Sequence, residues 1–207
     1  MTTYVYVDGF NLYYGALRRT RFKWLDVRKL CSLILPRHTV KSVKYFTARI
    51  AGFGGDPRQR SRQNTYLRAL GTLDDIEIIY GHFTTNDVWM PGAGAESGKR
   101  EFVKVTKTEE KGSDVNLATH MLKDGFQGRY EAAVVITNDS DLALPVRVVR
   151  QDLKLPVGII NPHRVQSMVL AREASFVRRV RRGALKESQL PRVIADQFGT
   201  IRKPTGW

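Results

Sequence analysis

The run Ala132-Ala133-Val134-Val135-Ile136-Thr137 does most to constrain the fold of this chain. Five successive apolar residues leave no polar face for water, as expected of a strand covered on both sides in a parallel sheet. A strand with one wet face would alternate instead. Such a strand needs helices above and below it, and the flanking sequence provides them. Tyr4–Val7, Val40–Ile50, Ile76–Thr84, Leu155–Ile160 and Ser175–Val180 read as further strands, with Glu101–Thr106 a short one. Between them lie helical patterns at Asp26–Leu35, stopped by Pro36, and at Pro57–Leu73. A third begins at Ser113, a candidate N-cap, and runs through Lys123. The fourth, Asp141–Gln151, tolerates Pro145 only in or near its first turn. Asn86–Ser97, with Pro91 and several glycines, reads as a loop. This alternation predicts an α/β fold with a mostly parallel central sheet flanked by helices.

At 207 residues and 42% hydrophobic content, the chain can bury a core as one domain. Residues 1–180 carry the alternating pattern. Residues 181–207 change character and form a basic C-terminal extension, either docked or mobile. Cys31, the single cysteine, excludes an internal disulfide and lies among apolar residues. The start MTTYVYVDGF lacks the basic and apolar regions of a signal peptide, and no apolar run approaches the ~20 residues of a membrane span. The expected location is cytoplasmic, with no membrane partner.

Charge narrows the function. Thirty-four Lys and Arg against 20 Asp and Glu give a net charge of +14, a field that collects polyanions. Nucleic acid is the commonest such partner, and phosphate contacts would supply much of its affinity. Against this basic background stand three acidic segments. Asp8-Gly9-Phe10-Asn11 follows the first strand, Lys111-Gly112-Ser113-Asp114-Val115-Asn116 opens a helix, and Thr137-Asn138-Asp139-Ser140-Asp141 follows the most buried strand. Ligand sites of open α/β sheets lie outside the carboxyl ends of the strands, so Asp8 and Asp139 should converge there, with Asp114 able to join. Each acid alone has an ordinary structural account, as a turn residue or a helix N-terminal charge. Together they repel one another unless a cation intervenes, and oxygen donors without a Cys or His cluster suit Mg²⁺ or Mn²⁺.

The stretches VDGFNLYYG (7–15), KGSDVNLATHML (111–122) and VITNDSDLALPV (135–146) resemble the NYN family of PIN-like nucleases, its bacterial branch above all, over about Tyr4 to Val180. The resemblance implies a Rossmann-like PIN domain and metal-dependent hydrolysis of RNA. By that resemblance Asp8, Asp114 and Asp139 are metal-binding acids and Asp141 a fourth catalytic acid. Asn11 would orient a ligand or substrate phosphate, and Asn138 and Ser140 would contact phosphate or metal-bound water. Glu109 or Glu110 is an alternative middle acid.

Lys111 would stand beside the pocket and hold a phosphate. Arg58, Arg60, Arg62, Arg68, Lys99, Arg100, Lys104 and Lys107 either grip RNA or form a solvated basic face. Tyr13 and Tyr14 either stack on bases or pack on the sheet. A non-catalytic RNA-binding or regulatory module, and a small-molecule or phosphate enzyme on the same fold, stay open as alternatives. A nicotinamide or flavin enzyme is disfavoured, because the first strand-to-helix turn lacks GxGxxG. A homodimer is as open as a monomer.

Overall fold

The computed structural model describes residues 1–50, 56–92 and 102–207. Its strands, in chain order, are β1 (Thr2–Asp8), β2 (Thr39–Thr47), β3 (Ile76–Tyr80), β4 (His82–Pro91), β5 (Phe102–Lys111), β6 (Ala132–Ile136), β7 (Val157–Asn161), β8 (Phe176–Arg179), β9 (Val193–Asp196) and β10 (Gly199–Arg202). The helices are α1 (Gly9–Leu12), α2 (Val27–Ile34), α3 (Gln59–Leu70), α4 (Ser113–Phe126), α5 (Ala143–Gln151), α6 (Met168–Glu173) and α7 (Arg182–Glu187). A π-helical turn, Tyr13–Leu17, continues α1, and a 3₁₀ turn, Ser140–Leu142, leads into α5.

Six strands form one sheet in the order β3-β2-β1-β6-β7-β8, and every neighbouring pair is parallel. The burial of β1 and β6 on both faces follows the period-two alternation of a strand. Val5, Val7, Val134 and Ile136 enter the core beneath α2 and α3, whereas Tyr6, Ala133 and Val135 enter the core beneath α4 and α5. Strand order reverses between β1 and β6, so the crevice beyond their carboxyl ends is the switch point where open α/β sheets bind ligands.

Most expected elements are present, and the differences have local causes. The third strand divides at Gly81. Its first part, β3, joins the main sheet, and β4 leaves to pair antiparallel with β5 as a separate ribbon. A side chain at Gly81 would collide with Glu110, the Lys111 carbonyl and the Ser113 amide. The expected loop 86–97 is strand as far as Pro91, because the polar residues of β4 are held by a ladder to β5 rather than by apolar packing. The remainder of that loop, 93–97, lies outside the described residues, as do Gly52–Gly55, Lys99 and Arg100. Ser113 is not the N-cap of α4. Gly112, at φ 94°, holds that place, and the buried Ser113 begins the helix, which continues past Lys123 to Phe126. Pro145 falls in the first turn of α5, where its missing amide proton costs no helical bond.

Residues 181–207 pack against the rest of the chain. The Trp24 indole donates to the Pro191 carbonyl at 2.8 Å, and the Leu190 amide donates to the Trp24 carbonyl at 3.0 Å. The Trp207 ring sits 5.7 Å from that of Tyr66, and Arg68 of α3 forms a forked ion pair with Asp196. No helix among the described residues is long and apolar enough to cross a membrane.

Candidate functional site

Asp8 is the last residue of β1, and its carboxylate caps α1 by accepting from the Asn11 amide at 2.9 Å. Gly9 is required beside it. A Cβ there would stand 2.7 Å from the Phe46 carbonyl oxygen and 2.8 Å from the Tyr45 ring. Beyond β6, Thr137 donates its hydroxyl proton to the second Asp8 carboxylate oxygen at 3.1 Å, and accepts from the Asp139 amide at the same distance. Asn11 completes the link, because its side-chain oxygen accepts from the Asn138 amide at 2.9 Å. The first and third acidic segments are thus bolted together at the switch point.

The second segment reaches the same place. Asp8, Asn11, Glu110, Ser113, Asp114 and Asp139 line one pocket of about 190 Å³, together with Phe10, Tyr14 and His163. Glu110 does the capping expected of Ser113, accepting from the Ser113 hydroxyl at 2.7 Å and its amide at 3.1 Å. Asp8, Asp114, Asp139 and Asp141 form no ion pair with any Lys or Arg among the described residues. Burial, followed by the charges of Asp114 and Asp139, pushes the Asp8 carboxyl up to about 6 despite two hydrogen bonds that oppose the rise. Burial also raises Asp114, with Asp139, Glu110 and Asp141 adding to it.

The other expected site residues stand differently. Asn138 has both ends of its amide engaged: it donates to the Val165 carbonyl at 3.0 Å and accepts from the Ser167 amide at 2.8 Å. It holds the loop after β7 rather than facing the pocket. Ser140 and Asp141 are exposed at the 3₁₀ turn and do not line the pocket. Lys111 is 3.5 Å from Glu109, which also pairs with Lys107 at 2.8 Å. Glu109 therefore faces away from the acids that Glu110 joins.

A concentration of positive charge adjoins the acids. A groove of about 1080 Å³ is lined by Arg18, Arg19, Arg21, Arg164, Arg179, Arg181 and Arg182, with Lys23. Gly15 and His163 are in contact there, since a Cβ on Gly15 would overlap the imidazole, and His163 belongs to both groove and acid pocket. The π-helical turn is the wide turn that carries this contact; such turns recur at functional sites. Arg58, Arg60, Arg62, Arg68, Lys104 and Lys107 line neither cavity, and four of them are paired with Asp56, Asp196, Asp87 and Glu109. Sequence reasoning passed over the groove. Its signals were the clusters RRTR (18–21) and RRVRR (178–182), 157 residues apart at their nearest ends (178 − 21).

The donor chemistry suits a hard divalent cation, although no three His, Cys, Asp or Glu side chains among the described residues are gathered closely enough to hold one by themselves. Mg²⁺ does not demand such a cage. It keeps several waters and commonly takes one or two carboxylates together with substrate phosphate oxygens. Asp8, Asp114 and Asp139 would provide those carboxylates, with Glu110 beside them.

Comparison with known proteins shows the family and the fold. The chain is 34% identical, over a 237-residue alignment, to 6-hydroxy-3-succinoylpyridine 3-monooxygenase HspA of Pseudomonas putida (strain DSM 28022 / S16), covering all of this chain and 75% of that protein. The crystal structure of a protein of unknown function from Vibrio parahaemolyticus RIMD 2210633 shares the fold, with a TM-score of 0.55 at 18% identity over 91% of this chain and 96% of the other. The NYN domain model matches residues 2–178, a span that contains all three acidic segments, and the chain belongs to the NYN domain family of PIN-like nucleases.

Proposed function

We propose that the chain is an endoribonuclease that hydrolyses RNA phosphodiester bonds with Mg²⁺ or Mn²⁺ held by Asp8, Asp114 and Asp139. The observation that carries this reading is the junction at His163, where a pocket of carboxylates that pair with no Lys or Arg among the described residues adjoins an arginine-lined groove. When bound, the divalent ion would acidify a water and offset charge on the phosphodiester. The protein's own contribution is positional. Asn11 and Thr137 hold Asp8 and the Asp139 backbone in register. The arginines would carry the flanking phosphates, charge-assisted and with counterion release. The +14 net charge would draw RNA to a site that by itself repels it.

Cleavage of a labelled mixed-sequence RNA with Mn²⁺ or EDTA, beside Asp139→Asn, tests the reading. Metal-dependent cleavage should fall at least about a hundredfold in the variant while RNA binding persists. Tight binding without cleavage by the wild-type protein would make this a binding module instead.

A second reading draws on the relative named as a monooxygenase, and a cavity walled by Phe10, Tyr13, Tyr14, Tyr45, Tyr66 and Trp207 favours it. Ring hydroxylation needs O₂ and two electrons from a donor. Loss of 6-hydroxy-3-succinoylpyridine in air with a reductant, and no action on RNA, would select it.

A further inference from the structure

We propose that the aromatic-walled cavity beside Asp8 is a subsite for one unstacked pyrimidine base of the RNA substrate, an inference that rests on the ribonuclease reading and adds a base preference to it. The cavity lies between α1 with its π-helical continuation, β2 and α3, and holds about 70 Å³. It meets both other cavities: Phe10 and Tyr14 also line the carboxylate pocket, and Lys23 also lines the arginine groove. A strand whose phosphates follow the groove and whose scissile bond lies over the acids would therefore pass the mouth of this cavity.

The lining suits a flat, polar-edged ring. Tyr66 and Trp207, 5.7 Å apart with rings inclined at 58°, give it an aromatic wall. Tyr45 lines the cavity, and its hydroxyl makes no hydrogen bond among the described residues, whereas that of Tyr66 is spent on the Leu25 carbonyl. Burial holds that phenol well above its ordinary pKa, so it stays a neutral donor. The Gln59 side chain is also without a hydrogen bond there, whereas the neighbouring Gln63 spends its amide on Ile50 and Ala48. A donor that lines the cavity with no protein partner is free to bond a ligand, and the carbonyl edge of a pyrimidine would accept from it. Size sets the selection. An apolar cavity of ~150 Å³ takes up a whole benzene. A cavity half as large admits only the leading edge of one six-membered ring, an edge that carries a carbonyl oxygen in uracil and none in adenine.

The sign of the preference is diagnostic. Stacking on exposed aromatic side chains is sequence-tolerant, so it would not favour uridylate over adenylate. The test is the affinity of the whole protein for labelled octauridylate and octaadenylate, measured by anisotropy in EDTA, with cleavage of both in Mn²⁺. The expected result is octauridylate bound and cleaved about tenfold better. Tyr45→Phe, which removes one oxygen, and Gln59→Ala, on the surface of α3, should each lower that preference several-fold without changing octaadenylate binding. Equal affinity and equal cleavage of the two RNAs would overturn the subsite and leave the ribonuclease standing. Binding of neither RNA would overturn both. Binding of a free hydroxypyridine with neither RNA bound would overturn the subsite in favour of a small-molecule site.

Discussion

Two buried aspartates, Asp8 at the end of β1 and Asp124 on α4, are held in opposite ways. Asp124 of α4 is fully buried and surrounded by donors: Lys44 Nζ at 2.6 Å, the Tyr6 hydroxyl at 2.9 Å and Arg129 at 3.1 Å. His120, on the same helix, stands 3.3 Å from Lys44 and belongs to this cluster rather than to the acid pocket. Asp8 is 5% exposed and has no cationic partner among the described residues, only hydrogen bonds and other carboxylates. A buried charge that is paired serves the fold, at a net balance near zero. One kept among like charges costs stability, and such costs gather where a ligand later offsets them. The same side chain is thus cement in one place and a loaded site in the other.

The sharpest way to break this contrast is to remove each carboxylate in turn. Asp124→Ala leaves the buried Lys44 with only the exposed Glu77, 3.7 Å away, and should cost about 3–5 kcal/mol, read as a lower urea midpoint. Asp8→Asn should do the reverse and stabilise the metal-free protein by up to about 3 kcal/mol at pH 7. Loss of stability in both variants would make Asp8 another structural acid.

The pH dependence follows from the same inequality. The Asp8 carboxyl sits near 6 in the folded chain, above its ordinary value of 3.8, so the folded state binds the extra proton. Its contribution to stability is complete below pH ~4 and is lost as pH rises through about 6. The advantage of Asp8→Asn, measured in EDTA, should therefore shrink to nothing by pH 4.

Cation binding should sharpen the contrast further. Mn²⁺ at ten times its dissociation constant stabilises by about 1.4 kcal/mol and should raise the thermal midpoint of the wild-type protein, but not that of Asp8→Asn. An equal rise in both would move the ion elsewhere. The smallest effects belong to the groove. Arg181→Ala or Arg182→Ala should weaken RNA binding a few-fold and lower the salt slope by about one, whereas Arg58→Ala should change neither.

Much of this was legible in the residues because it is written in local patterns. The apolar run 132–136 announced a strand buried on both faces, and strand-end acids at 8 and 139 announced the carboxyl edge. Cys31 sits in the core as expected, where burial pushes its thiol up to about 12. What local pattern could not reveal was partnership. Glu110 takes the cap expected of Ser113 because the Gly81 turn brings it there, and Asn138 turns inward because the loop after β7 needs its amide.

By itself, then, the sequence determined the layered α/β fold and the three acidic segments, since hydrophobic period and turn chemistry act over a few residues. Tertiary structure alone decided which charges face one another. It joined Arg18–Arg21 to Arg179–Arg182 in one groove, closed an aromatic cavity with Trp207, and left Asp8 without a cationic partner among the described residues while pairing Asp124. Electrostatic and packing partners are set by distance in space, and only the folded chain brings segments more than a hundred residues apart to within a few ångströms.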